Sequence, residues 1–114
     1  MPFIYLNQGK GVFDAGEQIS GADAVPYSLV AADLDGDGAP EIMVGFIRAP
    51  GVIFWNDGGG RKFIQTKFGD GQGGTYGLAV ADLNHDGLMD FVAARSDAPS
   101  LLFLQTKPAK PTPK

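Results

Sequence analysis

An all-β fold is what this sequence predicts, and three observations predict it. Seventeen glycines and eight prolines among 114 residues require many turns and leave little room for long helices. Short apolar runs such as Ser28-Leu29-Val30-Ala31-Ala32 and Ile42-Met43-Val44-Gly45-Phe46 are bounded by turn residues, the mark of buried strands. The third observation is a repeat. Tyr27, Leu29, Ala32, Asp33, Leu34, Asp37 and Gly38 recur 49 residues later as Tyr76, Leu78, Ala81, Asp82, Leu83, Asp86 and Gly87. A period of that length holding four strands is the signature of a β-propeller blade. The chain therefore reads as β-propeller blades, about two four-stranded antiparallel ones.

Taken in order, the first elements are strands over 3–7 and 12–18, the last two strands of a blade. A full blade follows: an inner strand over 28–33, then 41–46, 51–56 and 62–68. Strands over 77–82, 90–94 and 101–105 begin the next. Ile4-Tyr5-Leu6-Asn7, Ile53-Phe54-Trp55-Asn56 and Leu102-Phe103-Leu104-Gln105 stand one period apart. Both parities of these strands are apolar, as in a sheet covered on both faces. Strand 62–68 is more mixed, as at a rim, and its lysines discourage edge-to-edge pairing. Because the third-strand motif stands at both ends, ring closure requires one copy to shift. Residues 1–106 form the blade module, and the proline- and lysine-rich 107–114 reads as an extended linker.

The chemistry lies in two nine-residue loops. Asp33-Leu34-Asp35-Gly36-Asp37-Gly38-Ala39-Pro40-Glu41 and Asp82-Leu83-Asn84-His85-Asp86-Gly87-Leu88-Met89-Asp90 place side-chain oxygens at positions 1, 3, 5 and 9. Glycine at position 6 permits a sharp turn. Ca²⁺ needs about six to eight oxygens, and a curled loop supplies them. The expected ligands are Asp33, Asp35, Asp37, Glu41, Asp82, Asn84, Asp86 and Asp90, with the carbonyls of Ala39 and Leu88. An EF-hand would need a bidentate Glu at position 12 and flanking helices. Position 12 is Val44 or Ala93, and the flanks read as strands. The loop is thus expected to be a calcium-clasping β-hairpin.

These residues resemble the FG-GAP/VCBS repeats, the blades of integrin-α-like propellers and of many bacterial surface and secreted proteins. The resemblance rests on Ala32–Gly38 with Glu41-Ile42, and on Ala81–Gly87 with Asp90-Phe91-Val92. It runs from Phe3 to Gln105. It implies Ca²⁺ held between the first two strands of each blade by the loop residues named above. Two features depart from the family pattern. The Gly-Ala-Pro motif stands here as Arg48-Ala49-Pro50. A closed propeller needs at least about four blades, and this chain has little more than two.

Composition narrows the function classes. A net charge of −4 argues against nucleic acid. Seven of the thirteen acids lie in the two loops, so two Ca²⁺ ions would bring the charge to about zero. With no cysteine, neither disulfides nor thiol chemistry is available. His85 is the only histidine, at loop position 4, and no serine has a histidine partner nearby or a Gly-x-Ser-x-Gly context. The chain is expected not to be an enzyme. No stretch is long enough to span a membrane as a helix, and the N-terminus lacks the basic and apolar regions of a signal peptide. An extracellular or cell-surface module, present as a mature form or an excised piece, is expected. Its function would be protein or surface binding, with a homo-oligomer, such as a trimer forming a six-bladed ring, completing the blades. A lectin and an accessory domain of a secreted enzyme are the alternatives. Trp55, Tyr5, Tyr27, Tyr76 and Phe103 are expected in the inter-blade core rather than in a sugar-stacking groove.

Overall fold

The computed structural model describes residues 3–18, 24–60 and 62–106. It is all-β there, with nine strands: β1 Phe3–Ile4, β2 Glu17–Gln18, β3 Val25–Ala32, β4 Glu41–Ile47, β5 Gly51–Asn56, β6 Phe63–Phe68, β7 Gly74–Ala81, β8 Asp90–Ser96 and β9 Leu101–Phe103. The first blade is the antiparallel run β3-β4-β5-β6 and the second is β7-β8-β9. A single pairing, Ile47 with Gly74, bridges them. The tail over 107–114 lies outside the described residues.

The 49-residue repeat is kept as register. Ala32 pairs with Glu41 in the first blade and Ala81 with Asp90 in the second. Even the bulges coincide, between Pro26 and Ser28 and between Thr75 and Gly77. The N-terminal hairpin repeats the outer pair of the first blade. Phe3 faces Gln18 and Ile4 faces Glu17, as Val52 faces Lys67 and Ile53 faces Thr66 one period later.

Several boundaries differ from expectation, each for a physical reason. Both inner strands start three residues earlier, at Val25 and Gly74, because a bulge lets pairing continue past the tyrosine. The N-terminal strands are far shorter than 3–7 and 12–18. Between them only Asn7 and Phe13 form a bridge. There Asp14 Oδ1 accepts the N–H groups of Leu6 at 3.1 Å and Gly16 at 3.0 Å, which replaces ladder pairing with side-chain turns. β9 stops at Phe103, and no strand pairs its outer edge among the described residues.

The core follows the blade faces. Met43, Ile53 and Leu34 of the first blade meet Phe91 and Ala93 of the second, with Phe68 closing the cluster. Trp55, Leu78, Val80, Leu101 and Phe103 pack against it. Phe68, Phe91 and Phe103 make a ring cluster, with centroids 4.5 to 5.7 Å apart. On its far face the first blade buries Val44, Phe46, Val52 and Phe54. Of the five aromatic residues expected in the core, Trp55 and Phe103 pack there. Tyr5, Tyr27 and Tyr76 are more than half exposed. The tyrosines at 27 and 76 are the extra residues of the two bulges, which turn them outward into a mutual edge contact at 4.9 Å.

Candidate metal centre

The β3–β4 and β7–β8 loops hold the acidic clusters. Inner strands deliver Asp33 and Asp82, and β4 and β8 begin on Glu41 and Asp90, so each hairpin closes on its own acids. Glycines 38 and 87 have φ of 87° and 86°, the left-handed turn that position 6 requires. Asp33 and Asp82 organise the turns. Asp33 Oδ1 accepts the N–H groups of Gly36 at 2.9 Å and Asp37 at 3.2 Å, and its Oδ2 accepts that of Gly38 at 2.8 Å. Asp82 does the same for Asp86 at 3.1 Å and Gly87 at 2.8 Å. The Gly87 bond is the main reason its carboxyl lies below the ordinary aspartate range. Asp37 and Asp86 each accept the N–H two residues on, from Ala39 and Leu88, at 2.9 Å.

These turns bring the carboxylates together. In the first loop, oxygens of Asp33, Asp35, Asp37 and Glu41 all lie within 4.8 Å of one another; in the second, those of Asp82, Asp86 and Asp90 do. Asn84 stands exposed at position 3 of the second loop, where Asp35 stands in the first. Ala39 and Leu88 follow the turns at position 7. The donor set is oxygen only, the kind that suits a hard cation such as Ca²⁺. Most oxygens already accept a backbone N–H, but a carboxylate offers about four lone-pair sites, so capacity for an ion remains.

Position 9 has a second role that the loop pattern does not announce. Glu41 and Asp90 are fully buried. Glu41 accepts the N–H of Leu34 at 3.0 Å and of Asn56 at 3.2 Å. Asp90 accepts those of Leu83 at 2.9 Å and Gln105 at 2.8 Å. Asn56 and Gln105 stand one period apart. In both blades, then, one acid ties the loop to the end of the third strand. Asn56 adds a bond from its Nδ2 to the Pro40 carbonyl at 3.0 Å, and its Oδ1 accepts from Gly58 and Gly60. The only sequence signal for this tie is the recurrence of an amide side chain at 7, 56 and 105.

A family model of the FG-GAP-like repeat matches residues 2–44 and again 47–93. The chain belongs to the FG-GAP-like repeat family. Each matched stretch holds one whole acidic loop and runs from the outer strands of one blade into the inner strands of the next, so the repeats and the blades share one period. Searches among curated proteins and solved structures found no match to the chain. No helix among the described residues is long and apolar enough to cross a membrane.

Proposed function

We propose that this FG-GAP-like chain is a non-enzymatic, Ca²⁺-binding β-propeller module that works outside the cell by binding a protein or surface partner. The observation that carries this reading is the pair of convergent carboxylate clusters at equivalent hairpins of two blades. Asp33, Asp35, Asp37 and Glu41 would hold one ion and Asp82, Asn84, Asp86 and Asp90 the other, each with the carbonyl of Ala39 or Leu88. A bound Ca²⁺ supplies positive charge that relieves the mutual repulsion of the acids and locks the hairpin. The first site is the tighter, since Asp35 is charged where Asn84 is neutral. Sites in extracellular modules often have Kd of about 10⁻⁴–10⁻³ M.

Calorimetric titration of the EDTA-stripped chain with Ca²⁺ tests this. Two sites are expected, and Asp37→Ala or Asp86→Ala should each leave one. No binding heat, with a melting temperature indifferent to Ca²⁺, overturns it. A lectin is the second reading, and the exposed Tyr27–Tyr76 pair favours it, because sugars stack on exposed rings. A glycan array probed in Ca²⁺ separates the two; silence across all sugars removes the lectin.

A further inference from the structure

Each large apolar position of a blade occurs more than once, and its burial differs between copies. Leu34 is 5% exposed and its equivalent Leu83 is 46%; Ile53 is 7% exposed and Leu102 is 56%. Trp55 packs against the inter-blade core, whereas Leu104 is 49% exposed. The outward face of the second blade therefore repeats, uncovered, the face by which the first blade holds the second.

The opposite half of that interface is repeated as well. In the second blade, Leu101 and Phe103 of β9 are the side chains packed against the cluster that includes Ile53. Two periods earlier the same positions are Phe3 and Tyr5, which stack on each other at 6.4 Å and are 53% and 57% exposed. The N-terminal hairpin has the register of the β5–β6 pair, so these two side chains share one face. Its other face is turned inward: Ile4 and Leu6 are half-buried, and Leu6 Cδ2 lies 3.4 Å from the Cβ position of Gly60 in the first blade.

We infer that the occupant of the Leu83–Leu102–Leu104 face is a second copy of this chain, docked head to tail through Phe3 and Tyr5. The molecule's own inter-blade contact is the template. Leu101 and Phe103 against Ile53 and Trp55 within one chain becomes Phe3 and Tyr5 against Leu102 and Leu104 between two. Blade faces stack one way round, so the contact is heterologous, and repeated contacts close a ring or extend as a filament. The hairpin stacks as a layer of its own, so each chain brings three layers and two chains bring six, inside the usual range of about four to eight blades. The tail 107–114 has no side chain larger than lysine and no large apolar group to offer this face. The inference rests on the blade reading and is independent of calcium.

The test is mass in solution by light scattering, in Ca²⁺ and again in EDTA, for the full chain and two variants. Tyr5→Glu and Leu102→Glu alter positions more than half exposed within one chain, so both should melt close to the parent. The parent should be a multiple of the 12.0 kDa chain, with each variant alone a monomer. Mixing the two variants should restore one intact contact and give a heterodimer that grows no further. A monomeric parent overturns the inference. So does an assembly that Leu102→Glu abolishes and Tyr5→Glu leaves intact, which would mean the outward faces meet each other. The same mass is expected in Ca²⁺ and in EDTA, and an unchanged mass in EDTA with failed Ca²⁺ titration would sink only the metal reading.

Discussion

Glu41 and Asp90 divide the roles of the loop acids most clearly. Both are fully buried, and each satisfies two backbone N–H groups from segments far apart in sequence. Asp37 is exposed, and its Oδ1 accepts the N–H of Ala39 within its own turn. Glu41→Ala leaves two buried donors unsatisfied at about 1–3 kcal/mol each, so it should destabilise the EDTA-treated chain by roughly 2–6 kcal/mol. Asp37→Ala should abolish a metal site yet shift EDTA-treated stability by less than about 1 kcal/mol. Urea unfolding of both variants in EDTA checks this; equal losses would mean that position 9 has no special structural role. His85 carries strain of another kind. It has φ of 60° where its equivalent Gly36 has 74°, so a side chain occupies a left-handed position. Left-handed backbone costs a residue with Cβ about 1–2 kcal/mol, partly offset by the greater chain entropy of glycine. His85→Gly should therefore raise stability by up to about 1 kcal/mol, and an unfolding midpoint at or below the parent's would contradict it. The ligand positions were legible because spacing and glycine define the loop. The burial of position 9 was not, because it depends on Asn56, which folding brings beside the loop.

Strands were legible to within a few residues wherever apolar runs ended in glycine, proline or aspartate, and least so where side chains take over the backbone's bonds. Asp14 shortens the N-terminal pair in this way, and the tyrosine bulges lengthen the inner strands. Arg95 is a different case. It stands one period after Phe46, a core residue, and nothing in its own strand explains the exchange. Folding supplies the reason. Its buried guanidinium meets Asp70 and the Gln72 carbonyl in the β6–β7 connection, and its Nε donates to the Pro99 carbonyl in the β8–β9 turn. One side chain thus joins the connection between blades to the second blade. The Arg95 side-chain hydrogen bond, followed by the Gln72 backbone N–H, lowers the Asp70 carboxyl from its ordinary value of 3.8. A folded value below the unfolded one means that the stabilisation is present above about pH 3.8 and fades as pH falls through the folded value. Melting followed from pH 5 to pH 2 in EDTA should therefore fall less steeply for Asp70→Asn than for the parent. Parallel curves would show that the pair contributes nothing to folding.

On the scale of the molecule, two blades share one inter-blade core, and a chain of this length buries a modest fraction of its surface. The blade count and the doubly apolar strands were legible in the period. Which face stays open was not, since every copy of a repeat looks alike until its neighbours are placed. A fold so constituted should depend on whatever fastens its hairpins, and the two acidic loops sit where β3 joins β4 and β7 joins β8. A ligand bound only to the folded chain at a hundredfold excess over Kd adds about 2.7 kcal/mol per site. In a domain of roughly this size each kcal/mol moves the melting temperature by about 4–8 °C. Chelation should thus lower melting by on the order of ten degrees per filled site. The combined variant Asp37→Ala/Asp86→Ala should melt near the EDTA value of the parent whether Ca²⁺ is present or not. Each single variant should keep a fraction of the Ca²⁺ shift, the larger one in Asp86→Ala, because the first loop holds the extra carboxylate of Asp35. Equal shifts in the two single variants would remove the ranking of the sites. A parent that melts at one temperature in Ca²⁺ and in EDTA would mean that the loops are held by their backbone bonds alone.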